Sequence, residues 1–455
     1  LGEQRVKNTT LHAVDVTLEG TNKRKLSQAQ QIQKASPLTK YVAVAMLVAV
    51  VVAGGMYWFV FKPDFTPADQ SKYSFKLPDI PTIAILPFRN LSGNPDHEYI
   101  SNGLAENIIL ELSNSEDMLV ISRNSSFYYK DKQVNIQEIA EKLGVQYLLE
   151  GSVQVSGNSI RVSTQLVDAL NGKNLWAERL DEKLDDLFRV QDKITQKISE
   201  ELEIKLNVGD QGTVWRDLIQ DPAAFKMVVE YRTEFQKFSA SGYKKAELLN
   251  KNLCERLPES FMCHNITGWT YYIQSALGFA DNPQEALKKA RHHANKALEK
   301  QETANSHGML ALISMRENNV ELAFKHIDRA LELGPNETDV LAMGGSMKLR
   351  FDPENAIILN ERLFRKDPFP APHFIRNLAL NHMILNNNQK AKAIFLSILD
   401  MNLDHAKLVA EIYRHLSVIS HFENDPEKAQ EYTKLSLKKQ PSQTITAVEK
   451  TYKIW

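Results

Sequence analysis

Ile83-Ala-Ile-Leu-Pro-Phe-Arg-Asn-Leu-Ser-Gly93 opens the part of this chain that decides its fold. Residues 82–88 form an apolar run of strand length, and Asn90, Ser92, Gly93, Asn94 and Pro95 then supply turn chemistry. Downstream, Leu104, Ile108, Ile109 and Leu112 fall at helical spacing, 118–122 reads as a second strand, and 136–143 as a second helix stopped by Gly144. Residues 147–155 and 160–166 alternate with period two around Ser156-Gly-Asn158, which predicts a hairpin. A strand near 175–177 and a long amphipathic helix over about 184–206 close the unit. The order β-α-β-α-β-β-β-α implies one sheet with helices packed over it.

Upstream, the chain reads YVAVAMLVAVVVAGGMYWFVF over 41–61. An uncharged run of about 20 apolar residues is long enough to cross a bilayer, so one transmembrane helix is predicted there, bracketed by Lys40 and Lys62. Tyr41, Tyr57 and Trp58 lie at its ends, where aromatic rings favour the headgroup region. Arg5, Lys7, Lys23, Arg24, Lys25, Lys34 and Lys40 outnumber the acids of 1–40, which predicts a cytoplasmic N-terminus and outer domains beyond Lys62. The expected location is an inner membrane, single-pass, with periplasmic C-terminal domains. Residues 62–79, rich in Pro and polar residues, read as a linker. A net charge of -1 over 455 residues argues against a nucleic-acid partner.

From about Pro222 onward strand signals stop. A small residue inside an amphipathic helix returns at Ala246, Ala286, Ala323, Ala356, Ala391 and Ala429, at intervals of 40, 37, 33, 35 and 38 residues. Pro335, Pro368 and Pro441 fall at unit ends. A period near 34 residues with Ala at the helix crossing is that of tetratricopeptide repeats, so 222–455 is expected to form about six helix pairs in a right-handed α-solenoid. First helices would line its groove and receive a protein partner. Tyr271, Tyr272, Arg376, Asn377 and Asn381 are the candidate contacts.

The segments IAILPFRNLSGNPDHEYISNGLAENIILELS, VISRNSSFYYKDK, LGVQYLLEGSVQVSGNSIRVSTQLVDALNGKNLWAERLD and LFRVQDKITQKI closely resemble the TolB-N-terminal-like domain of bacterial membrane-anchored signalling proteins. The resemblance places this α/β domain over 80–207. It implies an architecture in which the domain stands between a transmembrane helix and tetratricopeptide repeats, preceded by a class III nucleotide cyclase or a winged-helix DNA-binding domain. Leu1-Gly-Glu-Gln-Arg-Val-Lys-Asn8 resembles the closing segment of class III adenylate/guanylate cyclase domains, although the usual Pro and aromatic strand are absent from 9–16. Residues 1–40 would then be a cytoplasmic remnant and linker, with 1–16 the end of a cyclase domain. The first residue is Leu, and the chain is expected to be processed or a piece of a longer polypeptide. Two metal-holding Asp of such a cyclase, with their divalent cations, would lie upstream of residue 1.

The resulting expectation is the extracytoplasmic sensory and protein-binding part of a cyclase-like signalling protein, coupled to its output through a homodimer. A fragment of a membrane-bound winged-helix transcription regulator, or a repeat scaffold of the cell envelope, is the alternative.

Catalytic constellations are missing from the sequence. The 12 His show no His-Glu-x-x-His spacing, and neighbouring His292 and His293 cannot face one metal from the same side of a helix. Asp185-Asp186 reads as a polar helix start, and no Gly-x-Ser-x-Gly elbow occurs. Asn90-Leu-Ser-Gly93 and Arg123-Asn-Ser-Ser126 read as a turn and a polar loop, Gly151 and Gly157 as bulge and turn positions. No catalytic residue, cofactor or metal is assigned. Cys254 and Cys263, the only cysteines, are either a disulfide or two small buried hydrophobes.

Overall fold

The computed structural model describes residues 3–6, 9–12, 46–50, 52, 54, 65–113, 115, 117–204, 221–235, 237, 239–277, 280–401 and 406–440. Its contacts divide the chain into a unit of residues 1–62 and a unit of residues 63–455.

In the first unit, strands β1 (Glu3–Val6) and β2 (Thr9–His12) pair antiparallel, with Glu3 opposite His12 and Val6 opposite Thr9. The expected transmembrane helix over 41–61 is overturned here. Among the described residues no helix is long and apolar enough to cross a membrane. Apart from 46–50, 52 and 54, the run over 41–61 lies outside the described residues. The single-pass membrane attachment and the inner-membrane topology that depended on the span therefore lose their basis.

The second unit begins with a six-stranded sheet. Strands β3 (Thr82–Ile85), β4 (Arg89–Asn90), β5 (Leu119–Val120), β6 (Tyr147–Ser156), β7 (Ser159–Asp168) and β8 (Lys173–Lys183) are arranged β5-β3-β6-β7-β8, with β4 pairing β6. The β3 pairings to β5 and β6 are parallel, and β6-β7-β8 is an antiparallel meander. Strand alternation sorts the core into two layers. Ile83 and Ile85 enter one with Val120, Leu149 and Val153, whereas Ala84 and Leu86 enter the other with Ile121 and Leu148. Helices α1 (Glu98–Ser113) and α4 (Leu187–Glu201) supply Leu104, Ile108, Val190 and Ile194 to the first layer. Helix α3 (Ile136–Leu143) supplies Ile139, Ala140 and Leu143 to the second and ends at Gly144 in the left-handed conformation, φ 66°.

Two expectations for this unit change. Residues 123–126 are not a loop: Arg123–Phe127 is a short helix, α2, capped by the Ser122 hydroxyl, which accepts from the Ser125 amide. Gly151 is not in a bulge. It sits opposite Thr164 in continuous register, where a Cβ would stand 2.7 Å from the Ser163 carbonyl oxygen and 3.3 Å from Phe88.

Twelve helices follow among the described residues: α5 (Pro222–Phe235), α6 (Ala240–Arg256), α7 (Phe261–Leu277), α8 (Pro283–Lys300), α9 (Ala304–Arg316), α10 (Val320–Leu333), α11 (Thr338–Lys348), α12 (Pro353–Lys366), α13 (Pro372–Ile384), α14 (Asn388–Asp400), α15 (Ala406–Phe422) and α16 (Pro426–Lys439). They pack as six consecutive hairpins, a tetratricopeptide-like α-solenoid. The periodic small residues sit at the crossings for a steric reason, since a methyl group lets two helix backbones approach closely. Ala323, Ala356 and Ala391 are fully buried, and Ala246 and Ala286 nearly so. Ala429, in α16, is half-exposed. Asn282, Asn319, Asp352 and Asp425 cap second helices by accepting an amide three residues on, so these four hairpin turns carry their own start signal.

Candidate functional site

The sheet unit and the solenoid share a core. Phe225, Val228 and Val229 of α5 join the layer containing Leu104 and Ile108, so α1 is covered by the sheet on one side and by α5 on the other. Gly103 lies at the α1–α5 contact. A Cβ there would run into the Phe225 ring and stand 3.2 Å from Val229. Beside this apolar seam the Glu106 carboxylate, fully buried, meets two guanidinium groups: Arg123 Nε at 2.8 Å and Arg232 Nη1 at 2.6 Å. Arg123 also donates to Thr233 Oγ1 at 3.1 Å and lies over the Phe127 ring. Two cations on one buried carboxylate compensate its desolvation better than a single pair would.

A second seam forms far along the chain, where α12 passes into α13. Ser122 Oγ donates to Asp367 Oδ1 at 2.8 Å across a separation of 245 residues, and Ser125 Oγ donates to the same oxygen. Asn124 Nδ2 reaches both Asp367 oxygens at 3.3 Å and the Phe369 carbonyl at 2.6 Å. Main-chain bonds complete the set: the Ser122 amide donates to the Lys366 carbonyl at 2.7 Å and the Phe369 amide to Ser125 Oγ at 2.8 Å. The Phe369 ring packs on Tyr128, centroids 4.6 Å apart, and meets Tyr129 edge-on at 6.0 Å. Arg365 donates to the Gly144 carbonyl at 2.8 Å and covers the Phe75 ring.

Burial governs the charges at this seam. It pushes the Asp367 carboxyl up, against the opposing effect of its Ser125, Ser122 and Asn124 donors. It pulls the Lys366 ammonium down to about 8, with Arg362 and Arg365 adding to the shift.

The sequence-predicted partner contacts divide between the two halves of the solenoid. Tyr271 stacks on His293 with centroids 6.0 Å apart, and Lys289 lies over its ring. Tyr272 is edge-on to Trp269, and burial raises its phenol. Both rings are half-buried against neighbouring helices. Arg376, Asn377 and Asn381 are drawn together in a polar ladder along the first helices. Asn377 donates to Ser346 Oγ of α11 at 2.8 Å and accepts from Arg376, which pairs with Glu411 of α15 at 2.7 Å. Asn381, fully buried, accepts from Asn360 and donates to the Pro353 carbonyl. Asn265, Trp269 and Asn305 make a similar rung between α7 and α9. These residues fasten repeat to repeat. Cys254 and Cys263 are joined, Cα atoms 5.1 Å apart, across the α6–α7 turn.

Sequence reasoning missed the second seam. Pro368 was visible as a unit terminator, and the Asp and Phe on either side of it carried no separate periodic signal.

Two adjacent hairpins repeat another arrangement. His264 Nδ1 is 3.2 Å from His293 Nδ1, and His307 Nδ1 is 2.9 Å from His326 Nδ1. Glu302 accepts from His307 Nε2 at 3.1 Å and from Arg329 Nε at 2.9 Å. Between two neutral rings, donation to Glu302 would leave His307 Nδ1 as the acceptor and His326 Nδ1 as the donor. Among the described residues no group of three or more His, Cys, Asp and Glu side chains could hold a metal ion.

A family model for the second domain of HilA/YgeH-like transcriptional regulators matches residues 79–197, which is the sheet unit. A putative adenylate cyclase 3 of Rhizobium meliloti (strain 1021) is 38% identical over 220 residues, covering 48% of this chain. The chain spans 38% of the length of that curated relative. Among solved structures, TolB from Acinetobacter baumannii aligns at 21% identity over 28% of this chain and 30% of its own, with a TM-score of 0.22. PilF of Pseudomonas aeruginosa aligns at 14% identity over 51% of this chain and 98% of its own, with a TM-score of 0.38. The chain is thus a tetratricopeptide-like solenoid joined to a small, divergent sheet domain, weakly related to a bacterial adenylate-cyclase-like protein.

Proposed function

We propose that this chain is a protein-interaction module that controls an output domain carried by the same protein. The carrying observation is the stack of six helix hairpins, with polar rungs joining first helices at α7–α9, α11–α13 and α13–α15. The division into an α/β unit over 80–207 and repeats over 222–455 is part of this proposal, as is the tetratricopeptide face as the place where another protein binds.

The likeness to a putative adenylate cyclase supports a nucleotide cyclase as the output domain. Residues 1–16 would then close its catalytic domain, and its metal-binding Asp would precede Leu1. The match of 79–197 to a transcription-regulator domain favours a second reading, in which the output is a DNA-binding domain. In both, the present chain binds and regulates and performs no chemistry itself.

The experiment is to express the complete protein from its locus and compare wild type with Ala323→Trp, which overfills the fully buried α9–α10 crossing. Cyclic-nucleotide synthesis and binding to promoter DNA are measured in parallel, with hydrogen exchange reporting the loosened solenoid. A severalfold change in one output identifies that output. Both outputs unchanged in a loosened solenoid would sink the regulatory reading.

A further inference from the structure

Residues 366–369 lie on the sheet unit as a bound peptide lies in its site. The Asp367 carboxylate receives three side-chain donors, from Ser122, Ser125 and Asn124, with no cation among the contacts named above. Main-chain bonds flank it on both sides, from the Ser122 amide to the Lys366 carbonyl and from the Phe369 amide to Ser125 Oγ. Asn124 spans two of these positions by also reaching the Phe369 carbonyl. Pro368 has no N–H to satisfy, and it restricts the residue before it to extended conformations. Asp367 leaves the helical region at φ -127° and ψ 80°, as the C-cap of α12. The Phe369 ring lies on Tyr128, which also meets Tyr129 edge-on and carries Lys132 Nζ 3.1 Å from its ring centroid. Each of the three residues therefore meets a recognition element: an acid in a neutral donor pocket, a proline that lets the chain run extended, and an aromatic ring on an aromatic ring.

We propose that Ser122, Asn124, Ser125 and Tyr128 form a binding site for an Asp-Pro-aromatic peptide, and that this chain's own Asp367-Pro368-Phe369 is its resident ligand. Tyr128 is 51% exposed with the segment in place, so the site opens at the surface and is reachable once the segment leaves. Tethering holds the resident segment at a high effective concentration, which closes the site to weak competitors. A partner presenting the same acid-proline-aromatic pattern at sufficient affinity would displace it and free the α12–α13 junction from the sheet unit. The Ser122, Ser125 and Asn124 donors converge on the one acid and contribute no charge of their own.

The test uses the full chain and a fluorescent peptide of the sequence of residues 363–371, LFRKDPFPA. Asp367→Ala with Phe369→Ala empties the site. The emptied chain should bind the peptide at least tenfold more tightly than wild type by anisotropy. Adding Asn124→Ala, or replacing Asp with Ala in the peptide, should return binding to the wild-type level. Equal binding to the wild-type and emptied chains, or binding to neither, overturns the proposal. If the emptied chain does not fold, as judged by circular dichroism, Asn124→Ala alone is examined by hydrogen exchange. Exchange at the amides of Lys366, Asp367, Phe369 and Ala371 should then rise at least tenfold while α5 stays protected, and an unchanged rate overturns the proposal. Peptide binding at this surface is separate from output control, so a negative result leaves the interaction reading of the solenoid standing.

Discussion

Two seams join the sheet unit to the solenoid, and they are made of opposite materials. The α1–α5 seam is apolar and continuous with the core, and its one buried carboxylate is matched by two arginines. The α2 seam with residues 365–369 is a set of hydrogen bonds around an uncompensated carboxylate, finished by one aromatic contact. Non-directional burial has no substitute partner in water, whereas most of the second seam's bonds can be replaced by water with little net change. The first seam should therefore open only with the whole fold, and the second should open by itself.

Phe225→Ala carries the largest expected effect. Removing a fully buried ring between α1 and α5 should cost about 3–5 kcal/mol, read as a shift of the denaturation midpoint in urea. The sheet and the solenoid should lose structure in one transition. Two separated transitions would show that the core is not shared and that the comparison fails at its first term.

Next in size is reduction of the Cys254–Cys263 link. Its neighbours Leu253 and Ile266 belong to the shared core, so the cross-link braces the first seam from behind. Closing a loop of sequence separation 9 restricts the unfolded chain by about 2–3 kcal/mol in the loop-entropy model. Denaturation with and without reductant measures the loss. Free thiols found by mass mapping of the unreduced protein would remove the bridge and this prediction with it.

Asp367→Ala should cost less, about 1 kcal/mol, because the lost hydrogen bonds are offset by release of a carboxylate that burial disfavours. Global stability should barely move while exchange at 366–371 rises. A loss comparable to that of Phe225→Ala would mean that the second seam also belongs to the core, and the distinction between the seams would collapse.

The first seam's elements were legible in sequence because each is periodic on its own. Leu104, Ile108, Ile109 and Leu112 announce α1, and the spaced alanines announce the hairpins. The second seam was illegible because its partners are 245 residues apart and no period links them. Arg123-Asn-Ser-Ser126 looked like loop chemistry for a good reason: Ser and Asn compete for backbone groups, and here they do so at the start of a very short helix. Arg376, Asn377 and Asn381 were read in the sequence as candidate partner contacts, and a single sequence does not distinguish a polar side chain facing a partner from one facing the next repeat. The apolar run over 41–61 shows the opposite error. Composition alone gave it the length of a span, and the described residues contain no helix of that kind.

Acidification should distinguish the second seam from the middle of the solenoid. Burial and the facing His264 and His292 pull His293 down to about 4, and burial with His307, Arg291 and Lys325 does the same for His326. A histidine whose folded value lies below its ordinary 6.5 is stabilising when neutral, so its contribution is full above pH 6.5 and is lost as the pH falls towards 4. Asp367 has the opposite sign. Its raised value means that protonation accompanies folding, so its contribution is present at low pH and is lost as the pH rises through the folded value. Between pH 6.5 and 4.5, then, hairpins α7–α8 and α9–α10 should loosen while residues 366–369 stay docked. Glu302, held down to about 2 by Arg329 and His307, keeps its charge throughout that window. Hydrogen exchange at pH 6.8 and 4.8, corrected for intrinsic rates, should show protection lost in 261–333 and retained in 366–369. His326→Asn keeps a donor near the position of Nδ1 and removes the titration, so it should flatten the response of α9 and α10. Loss of protection that begins at 366–369 instead would place the acid-sensitive contact in the clasp, with the histidine pairs as bystanders.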